Sequence, residues 1–452
     1  MLKVVTINKI EIEKEKWTPK YSYILKKLEN SHNSILLENF LEKGPVNGID
    51  MRDFAEEGKN YIRISDMKRF FLSYSDMKKV EIKKIPQKIR LKQNDILFSR
   101  KGTPGISLII GEGDMDNVIG TEAILLRVKD NTNPYYLIAF LNSKVFYEQV
   151  LNNLSGAVSP GINHPALKKL KVLYDEKLIE KVSLKVKRAI ELQNQSNLII
   201  INAKALLYKK LDIDFSKISK AKYFSVNLSS FMKDDLWTPE YSCPFYNNIL
   251  KVIQSRFPTM PIWKIATTKK GDEVGSKNYN RYLDKKNKDI PFIRTSDVIN
   301  YEVDQFPDYY IPEEIYQELN QDILPNDILF TKDGKIGMTG IVTNNDKVVI
   351  SSGITRIRVN SEGKNYGITP EYLFLILSLK ETGLYPSIRR TVIASTIPHL
   401  REERMEDIEI PIIDKYSISE ITIMLKEAFR LKDEKKILIK EVIDTIDSYF
   451  EI

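Results

Sequence analysis

Asn94-Asp95-Ile96-Leu97-Phe98 recurs without change as Asn326-Asp327-Ile328-Leu329-Phe330, 232 residues further on, and each copy is followed by the same glycine spacing, Gly102 with Gly105 and Gly334 with Gly337. Working outward from this pair, the same segments appear in the same order on both sides. Trp17-Thr18-Pro19-Lys20-Tyr21-Ser22 answers to Trp237-Thr238-Pro239-Glu240-Tyr241-Ser242 at an offset of 220, and Ile62-Arg63-Ile64-Ser65-Asp66 to Ile293-Arg294-Thr295-Ser296-Asp297 at 231. Pro134-Tyr135-Tyr136-Leu137 answers to Pro370-Glu371-Tyr372-Leu373 at 236, and Leu178 to Leu211 aligns without a gap with Ser417 to Phe450 at 239. Offsets that drift upward by small insertions while the order is kept are the signature of a tandem duplication. The unit, about 230 residues, is too long for a solenoid, whose repeats run roughly 20 to 50 residues.

Within one unit, Lys88 to Arg100 reads as a strand, a turn at Gln93-Asn94 and a second strand, with Thr121 to Val128 as a further apolar strand. The second copy places Asp327 to Thr331 and Ile354 to Val359 in the same roles. After Gly102 or Gly334 the chain must turn on permissive backbone, and Ile106 to Ile110 or Met338 to Val342 returns as a strand. The fold class is α+β, a mixed α/β globule with a bent sheet, written twice.

Each globule is followed by a different kind of segment. Leu178, Val182, Val186, Ala189 and Leu192 match Ser417, Ile421, Leu425, Ala428 and Leu431, spaced three and four apart as a helix seam requires. The seam resumes at Ile200, Ala203, Leu207 and Leu211, matched by Ile439, Val442, Ile446 and Phe450, with a polar patch between: Gln193 to Asn197 in one copy, Lys432 to Lys436 in the other. No Pro or Gly interrupts either segment, so each predicts a helix on the order of 50 Å long. Burying both stripes by mutual pairing gives an antiparallel coiled coil with a globule at each end. The expected division is 1–175, first globule; 176–212, central spacer helix; 213–412, second globule; 413–452, C-terminal spacer helix.

Composition bounds the chemistry. The 452 residues are 42% hydrophobic and 29% charged, and 69 Lys+Arg against 61 Asp+Glu leave +8, a balance that admits a polyanion partner without demonstrating one. The single cysteine, Cys243, excludes an internal disulfide, and His32, His164 and His399 are too scattered for a zinc site, so no metal ligand is assigned and a reducing cytoplasm is expected. The N-terminus lacks the apolar run of a signal peptide, and Ile10 to Lys16 reads as at most a short strand or turn. No stretch approaches the roughly 20 apolar residues of a membrane span.

Asn133-Pro134-Tyr135-Tyr136 resembles the Asn-Pro-Pro-Tyr/Phe tetrapeptide with which amino-methyltransferases hold a flipped adenine, but it departs at the third position, and its counterpart reads Thr369-Pro370-Glu371-Tyr372. The shared content is a cap residue and a proline at the first helical position. Without a glycine-rich loop after a strand to hold S-adenosylmethionine, no catalytic residue is assigned.

The order of elements, with the NDILF strand, the Gly-x-x-Gly turn, the Pro-x-Tyr-Leu helix and a long helix closing each half, resembles the specificity subunit of type I restriction-modification enzymes over essentially the whole chain. The resemblance implies two target-recognition domains, each reading one half of a bipartite site on double-stranded DNA in the major groove, with the helices setting the gap. It further implies two methyltransferase (modification) subunits docked on the helices and restriction (translocase/nuclease) subunits on that core. No cofactor would be bound by this chain; S-adenosylmethionine, ATP and Mg would belong to partners. Two alternatives stay open: the specificity chain of a bifunctional type II restriction system, and a protein-docking scaffold that binds no DNA.

Candidate DNA contacts are basic side chains in predicted loops. Arg100 and Lys101 end the NDILF strand beside Gly102, and Lys332 and Lys335 occupy the matching turn. Lys68 and Arg69 follow the Ser65-Asp66 turn, while Arg389 and Arg390 lie in Ser387 to Thr396, which corresponds to the Ser155 to Asn163 loop. Each also fits a solvated surface charge. Arg63 and Arg294, paired by the repeat, read as structural, and Trp17 and Trp237 as core. Val182, Val186, Ala189, Leu207, Ile421, Leu425, Ala428 and Ile446 read as helix seam and subunit-docking positions. His164 and His399 fall in comparable places and read as structural histidines.

Overall fold

A computed structural model describes residues 19–30, 33–221, 223–232, 236–272, 289–394 and 397–450. Trp17, His32, the Ile10 to Lys16 stretch and the end of the Ser387 to Thr396 segment lie outside these residues. Contacts divide the chain into two compact units: the residues up to Glu191 together with those from Ile437 onward, and Leu192–Lys436. The division falls inside both long helices, so each unit holds a globule and a portion of each helix.

In the first unit the strands are β1 (Ser34–Leu36), β2 (Leu41–Asn47), β3 (Lys59–Ile62), β4 (Lys78–Val80), β5 (Ile96–Ser99), β6 (Ser107–Ile109), β7 (Val118–Ile119), β8 (Ala123–Val128) and β9 (Lys171–Leu173). They form an antiparallel sheet in the order β2-β8-β5-β6, a smaller sheet β4-β3-β7 in which β3 and β7 run parallel, and a pair β1-β9. In the second unit the matching strands are β10 (Thr259–Pro261), β11 (Ala266–Lys270), β12 (Ile290–Ile293), β13 (Tyr310–Ile311), β14 (Ile328–Thr331), β15 (Thr339–Ile341), β16 (Val349–Ile350), β17 (Ile354–Val359) and β18 (Glu409–Pro411). Their sheets are β11-β17-β14-β15, β13-β12-β16 with a parallel β12–β16 pair, and β10-β18. Strand for strand, the second unit repeats the order and sense of the first. Two short hairpins, Val298–Ile299 with Glu302–Val303 and Val392–Ala394 with Ile397–His399, are added in the second.

The recurring Ile-Leu-Phe is uninterrupted by polar residues because it is covered on both faces. In the second unit Ile328 and Phe330 enter a large core with the helices, and Leu329 enters a separate core under the smaller sheet. In the first, Leu97 packs under the smaller sheet, while Phe98 meets Phe146, Phe146 meets Phe140 and Phe140 meets Phe450, at ring-centroid distances of 6.3, 6.3 and 6.4 Å. The asparagine ahead of each strand turns the chain with φ of +68° at Asn94 and +72° at Asn326, a left-handed conformation that asparagine tolerates. One expectation fails here. Lys88 to Leu91 is not a strand: Gln87–Ile89 is a 3-10 turn following Pro86, and Ile89 and Leu91 bury as anchors of a loop.

The aspartate of each motif is an anchor that apolar periodicity does not reveal. Asp95 takes a bidentate pair from Arg127 on β8 (2.9 and 2.7 Å) and the Lys92 amide at 2.7 Å. Asp327 takes the same pair from Arg358 on β17 (2.6 and 2.7 Å) and the Leu324 amide at 2.7 Å. In both units this charge pair ties the start of the central strand to the end of its neighbour.

The central helix, Glu176–Leu211, starts where the Asp175 carboxylate accepts from the Leu178 amide, and the C-terminal helix, Lys415–Tyr449, starts where Asp414 accepts from the Ser417 amide. Val182, Val186, Ala189, Leu207, Ile421, Leu425, Ala428 and Ile446 are all buried. In the second unit Ile200, Ala203, Leu207 and Leu211 share one core with Ile418, Ile421, Leu425 and Ala428. There Gln193 lies opposite Lys435 and Lys210 opposite Glu420, so the helices run antiparallel. In the first unit Lys185 pairs with Glu441. Being buried in the seam, these eight residues are closed to any other subunit, which corrects their assignment as docking positions.

The polar patch of the seam is not a solvated face. In the second unit Lys432, Lys435 and Lys436 are buried, around the buried carboxylate of Glu302. Lys432 Nζ donates to Glu302 Oε1 at 3.1 Å, and Lys435 Nζ to both Glu302 oxygens at 2.7 and 2.8 Å and to Gln193 Oε1 at 2.8 Å. Lys436 Nζ donates to both oxygens of Asp346 at 2.7 and 2.8 Å.

Candidate nucleic-acid interface

In both units the turn after the NDILF strand is built the same way. Ser99 Oγ donates to the Thr103 carbonyl at 2.6 Å and accepts from the Ile106 amide at 2.8 Å; Thr331 Oγ1 does the same with the Lys335 carbonyl and the Met338 amide. Gly102 and Gly105 have φ of +74° and +100°, and Gly334 and Gly337 of +68° and +85°, so the permissive backbone expected at these glycines is what closes the loop.

In the first unit this turn joins other candidate residues. Ile162 N donates to Arg100 O at 3.2 Å, and Lys101 bridges to Gly161, so the Ser155–Gly161 turn lies against Arg100-Lys101 with its tip, Gly156 to Pro160, exposed. His164 Nε2 is 2.8 Å from Asn47 Oδ1. Burial first, then the charges of Arg100 and Lys168, hold its pKa below the usual histidine range. Arg100 and Lys101 are half-buried, and the aliphatic stem of Lys101 packs against Gly161. Lys68 and Arg69 lie on a neighbouring segment, where Arg69 donates to the Asn142 carbonyl at 3.2 Å.

The second unit uses the same positions differently. Lys332 is only 5% exposed and sits 3.4 Å from Asp333; its carbonyl accepts from the Leu400 amide at 2.8 Å. It is therefore an internal cation, contrary to its assignment as a phosphate contact, because Asp333 and the hairpin Val392–His399 fold over it. Asp333 also bonds His399 Nδ1. Lys335 is half-buried, and its carbonyl is the one held by Thr331. Arg389 stacks 4.3 Å over the Tyr241 ring and donates to the Tyr241 carbonyl at 3.0 Å. Arg390 donates to the carbonyls of Pro386 (3.3 Å) and Asp407 (3.1 Å), and burial, followed by the charge of Arg389, lowers its pKa. Both arginines bind backbone, and Arg389 ends the helix Tyr385–Arg389, so the loop expected at this place is a helix end. What the hairpin exposes instead is apolar: Ile393 and Ile397.

Four smaller expectations meet the same geometry. His164 opens the helix His164–Lys168 whereas His399 lies on a strand, so the two histidines are not in comparable places; Glu402, opening Glu402–Glu406, is the counterpart of His164. Arg63 pairs with Asp66 through two side-chain bonds of 2.9 Å, and Arg294 Nε lies 3.8 Å from Asp297, a structural role in both units. Trp237 is 59% exposed, stacked at 5.9 Å on Phe231, and is not core. Asn133 and Thr369 cap their helices, as expected, and the tyrosines that follow are buried with their hydroxyls on the carbonyls of Leu173 (2.6 Å) and Pro411 (2.7 Å). Tyr136 is thus committed to β9 and cannot clamp a base. Among the described residues no helix is long and apolar enough to cross a membrane, and no group of three or more His, Cys, Asp or Glu is placed to hold a metal ion.

Residues 264–441 match the family described as type I restriction modification DNA specificity domain. The matched span holds β11 to β18 and most of the C-terminal helix. Among solved structures, the S subunit of the type I restriction-modification system from M. genitalium aligns with 99% of this chain and 96% of its own at 13% identity and a TM-score of 0.34. The HsdS subunit from Thermoanaerobacter tengcongensis aligns with 92% of this chain and 96% of its own at 12% identity and a TM-score of 0.28. The type IIG restriction endonuclease BpuSI aligns with 79% of this chain and 44% of its own at 10% identity and a TM-score of 0.22. No curated protein matches.

Proposed function

With residues 264–441 in the type I restriction modification DNA specificity domain family, we propose that the chain is the sequence-reading subunit of such a complex, in the cytoplasm, with each unit reading one half of a bipartite duplex site. The observation that carries this is the strand-for-strand identity of two scaffolds that present different chemistry at one strand end. The first offers Arg100, Lys101 and the exposed Gly156–Pro160 tip; the second offers a hairpin with exposed Ile393 and Ile397 beside a Lys332–Asp333–His399 cluster in which Lys332 is buried. Guanidinium groups suit guanine edges and apolar tips suit the thymine methyl, so equal scaffolds with unequal tips read unequal half-sites.

The antiparallel helices act as the spacer. Beyond their seam they expose Leu184, Leu198, Ile201 and Ile423, apolar surface that two methyltransferase subunits would cover, with restriction subunits joining that core. Methyl transfer, ATP hydrolysis and cleavage, with their S-adenosylmethionine, ATP and Mg, would reside in those partners.

Single-molecule methylome sequencing of cells carrying this chain with its methyltransferase tests the reading. The expected result is an asymmetric two-part motif with a fixed gap. Inserting four residues, about 6 Å, into each helix should change the gap and leave both half-sites intact. A continuous motif, or half-sites that change while the gap does not, would overturn the assignment.

A further inference from the structure

The two units differ in charge away from the reading loops, at the opposite end of the central sheet. The segment that runs from the strand beside β3 to the NDILF turn, Lys78 to Lys92, holds seven cations and one acid, Glu81. Its counterpart beside β12, Tyr310 to Leu324, holds no cation and four acids: Glu313, Glu314, Glu318 and Asp322. The scaffold is the same, so this difference is not required by the fold.

In the first unit the segment closes a recess of about 370 Å³ lined by Lys43, Lys84, Gln87, Arg90 and Lys92, with Arg127 at its base. Arg127 is neutralised by Asp95. Among the described residues, Lys43, Lys83, Lys84, Lys88, Arg90 and Lys92 make no ion pair, although Glu42 lies nearby and exposed. In the second unit the equivalent place is internally satisfied: Arg356 and Arg358 share Asp322, and Lys347 pairs with Glu313.

We infer that this basic recess of the first unit is a sequence-independent seat for the phosphate backbone of duplex DNA, and that among the described residues the equivalent place of the second unit offers no such seat. The four uncompensated cations of the lining, Lys43, Lys84, Arg90 and Lys92, with Lys83 and Lys88 on the same segment, are too many for one small anion and suit a repeating polyanion; five of the six are lysines, point charges that engage phosphodiesters without demanding bidentate geometry. A protein partner is disfavoured because the recess offers no exposed aromatic or apolar anchor, which the centre of a protein interface needs; Ile85, its one apolar lining residue, is buried. The first unit therefore holds DNA by charge at one end of its sheet while its loops read at the other. The inference rests on the DNA-reading function and adds to it a grip that belongs to one unit.

The test is fluorescence anisotropy of the full chain on labelled duplexes over a salt series. Lys84→Ala/Arg90→Ala/Lys92→Ala is compared with a control of equal charge loss on the central helix, Lys177→Ala/Lys181→Ala/Lys187→Ala; all six residues are exposed. Each lost phosphate contact lowers the slope of log K against log salt by about 0.9, so the recess variant should lose up to about 2.7 from the slope. Its affinity loss between about 50 and 200 mM salt should then be roughly 40-fold smaller than that of the wild type. The loss should be equal on duplexes with and without the half-sites, and the control should lose less than about 1 from the slope. A steep wild-type slope that the recess variant leaves unchanged overturns the inference, assigns the recess to an acidic protein surface and leaves the DNA-reading function standing. A wild-type chain with no salt-dependent binding overturns both.

Discussion

At Glu302 the stability of the second unit hangs on a single buried charge. Its carboxylate is buried among Lys432, Lys435 and Lys436. Burial alone would raise its pKa, but the three ammonium charges overcome that and hold it at about 2 instead of 4.5. A depression of that size corresponds to about 3 kcal/mol of stability at neutral pH. The sign follows from the direction: the folded form holds its proton less tightly, so the contribution is complete above about pH 4.5 and disappears as pH falls through about 2. The cluster carries three cations and, with Asp346, two anions. The excess falls on Lys435, which burial pulls down to about 8 despite Glu302, so on its account stability rises with pH between 8 and 10.5.

Glu302→Gln keeps the shape and removes the charge, leaving three buried ammonium groups beside one carboxylate. It should cost about 3 to 5 kcal/mol. In a unit of this size that lowers the melting temperature by roughly 6 to 20 °C, taking about 2 to 4 °C per kcal/mol. Lys435→Met removes the surplus charge and should stay within about 1 kcal/mol of the wild type. Thermal melts followed by circular dichroism from pH 2 to 8 read both effects, and the glutamine variant should also lose much of the acid-side slope. If Glu302→Gln melts within about 1 kcal/mol of the wild type, or Lys435→Met is as damaging as Glu302→Gln, the account of the cluster is wrong.

Other substitutions probe the shared scaffold. Asp95→Asn strands a nearly buried Arg127 and should destabilise the first unit by about 3 kcal/mol in chemical denaturation, whereas Asp327→Asn should cost about half as much, since Arg358 keeps Asp322 at 2.8 Å. A Cβ at Gly48 or Gly271 would stand 2.1 Å from the Ile119 carbonyl oxygen or 2.2 Å from that of Ile350, so alanine at either position should push its β7 or β16 pairing apart and raise amide exchange there. Ala428→Leu overfills a fully buried seam position and should cost about 1 to 3 kcal/mol by the same melts.

The duplicated scaffold was legible because it depends on residues that recur at both copies for local reasons: the left-handed asparagine, the two-sided strand, the capped Pro-x-Tyr-Leu helix. The buried lysines were not, since a run such as Lys432 to Lys436 carries the mark of a solvated face. Only Glu302 and Asp346, distant in sequence, convert it into interior. The same blindness misjudged Lys332 and hid the partners of the two arginines after Ser387, which come from Tyr241 and Asp407. Arg127 and Arg358 were hidden for the opposite reason: each sits in an apolar strand, and its aspartate lies 32 or 31 residues away across the sheet.

Where cations end up, not how many there are, decides what a chain of modest net charge can hold. In the second unit, among the described residues, Lys332, Lys347, Arg356, Arg358, Lys432 and Lys436 are engaged by carboxylates of their own unit. Those lysines and arginines are spent on the fold and are not offered to a polyanion. In the first unit the segment between Lys78 and Lys92 makes the opposite choice on the same scaffold, leaving its outer cations unpaired. A duplicated chain can thus divide two tasks that a single reader must combine. Loops at one strand end are free to diverge and discriminate bases, provided that affinity is supplied elsewhere by contacts indifferent to sequence, and one such seat suffices when the helices join both readers in a single molecule.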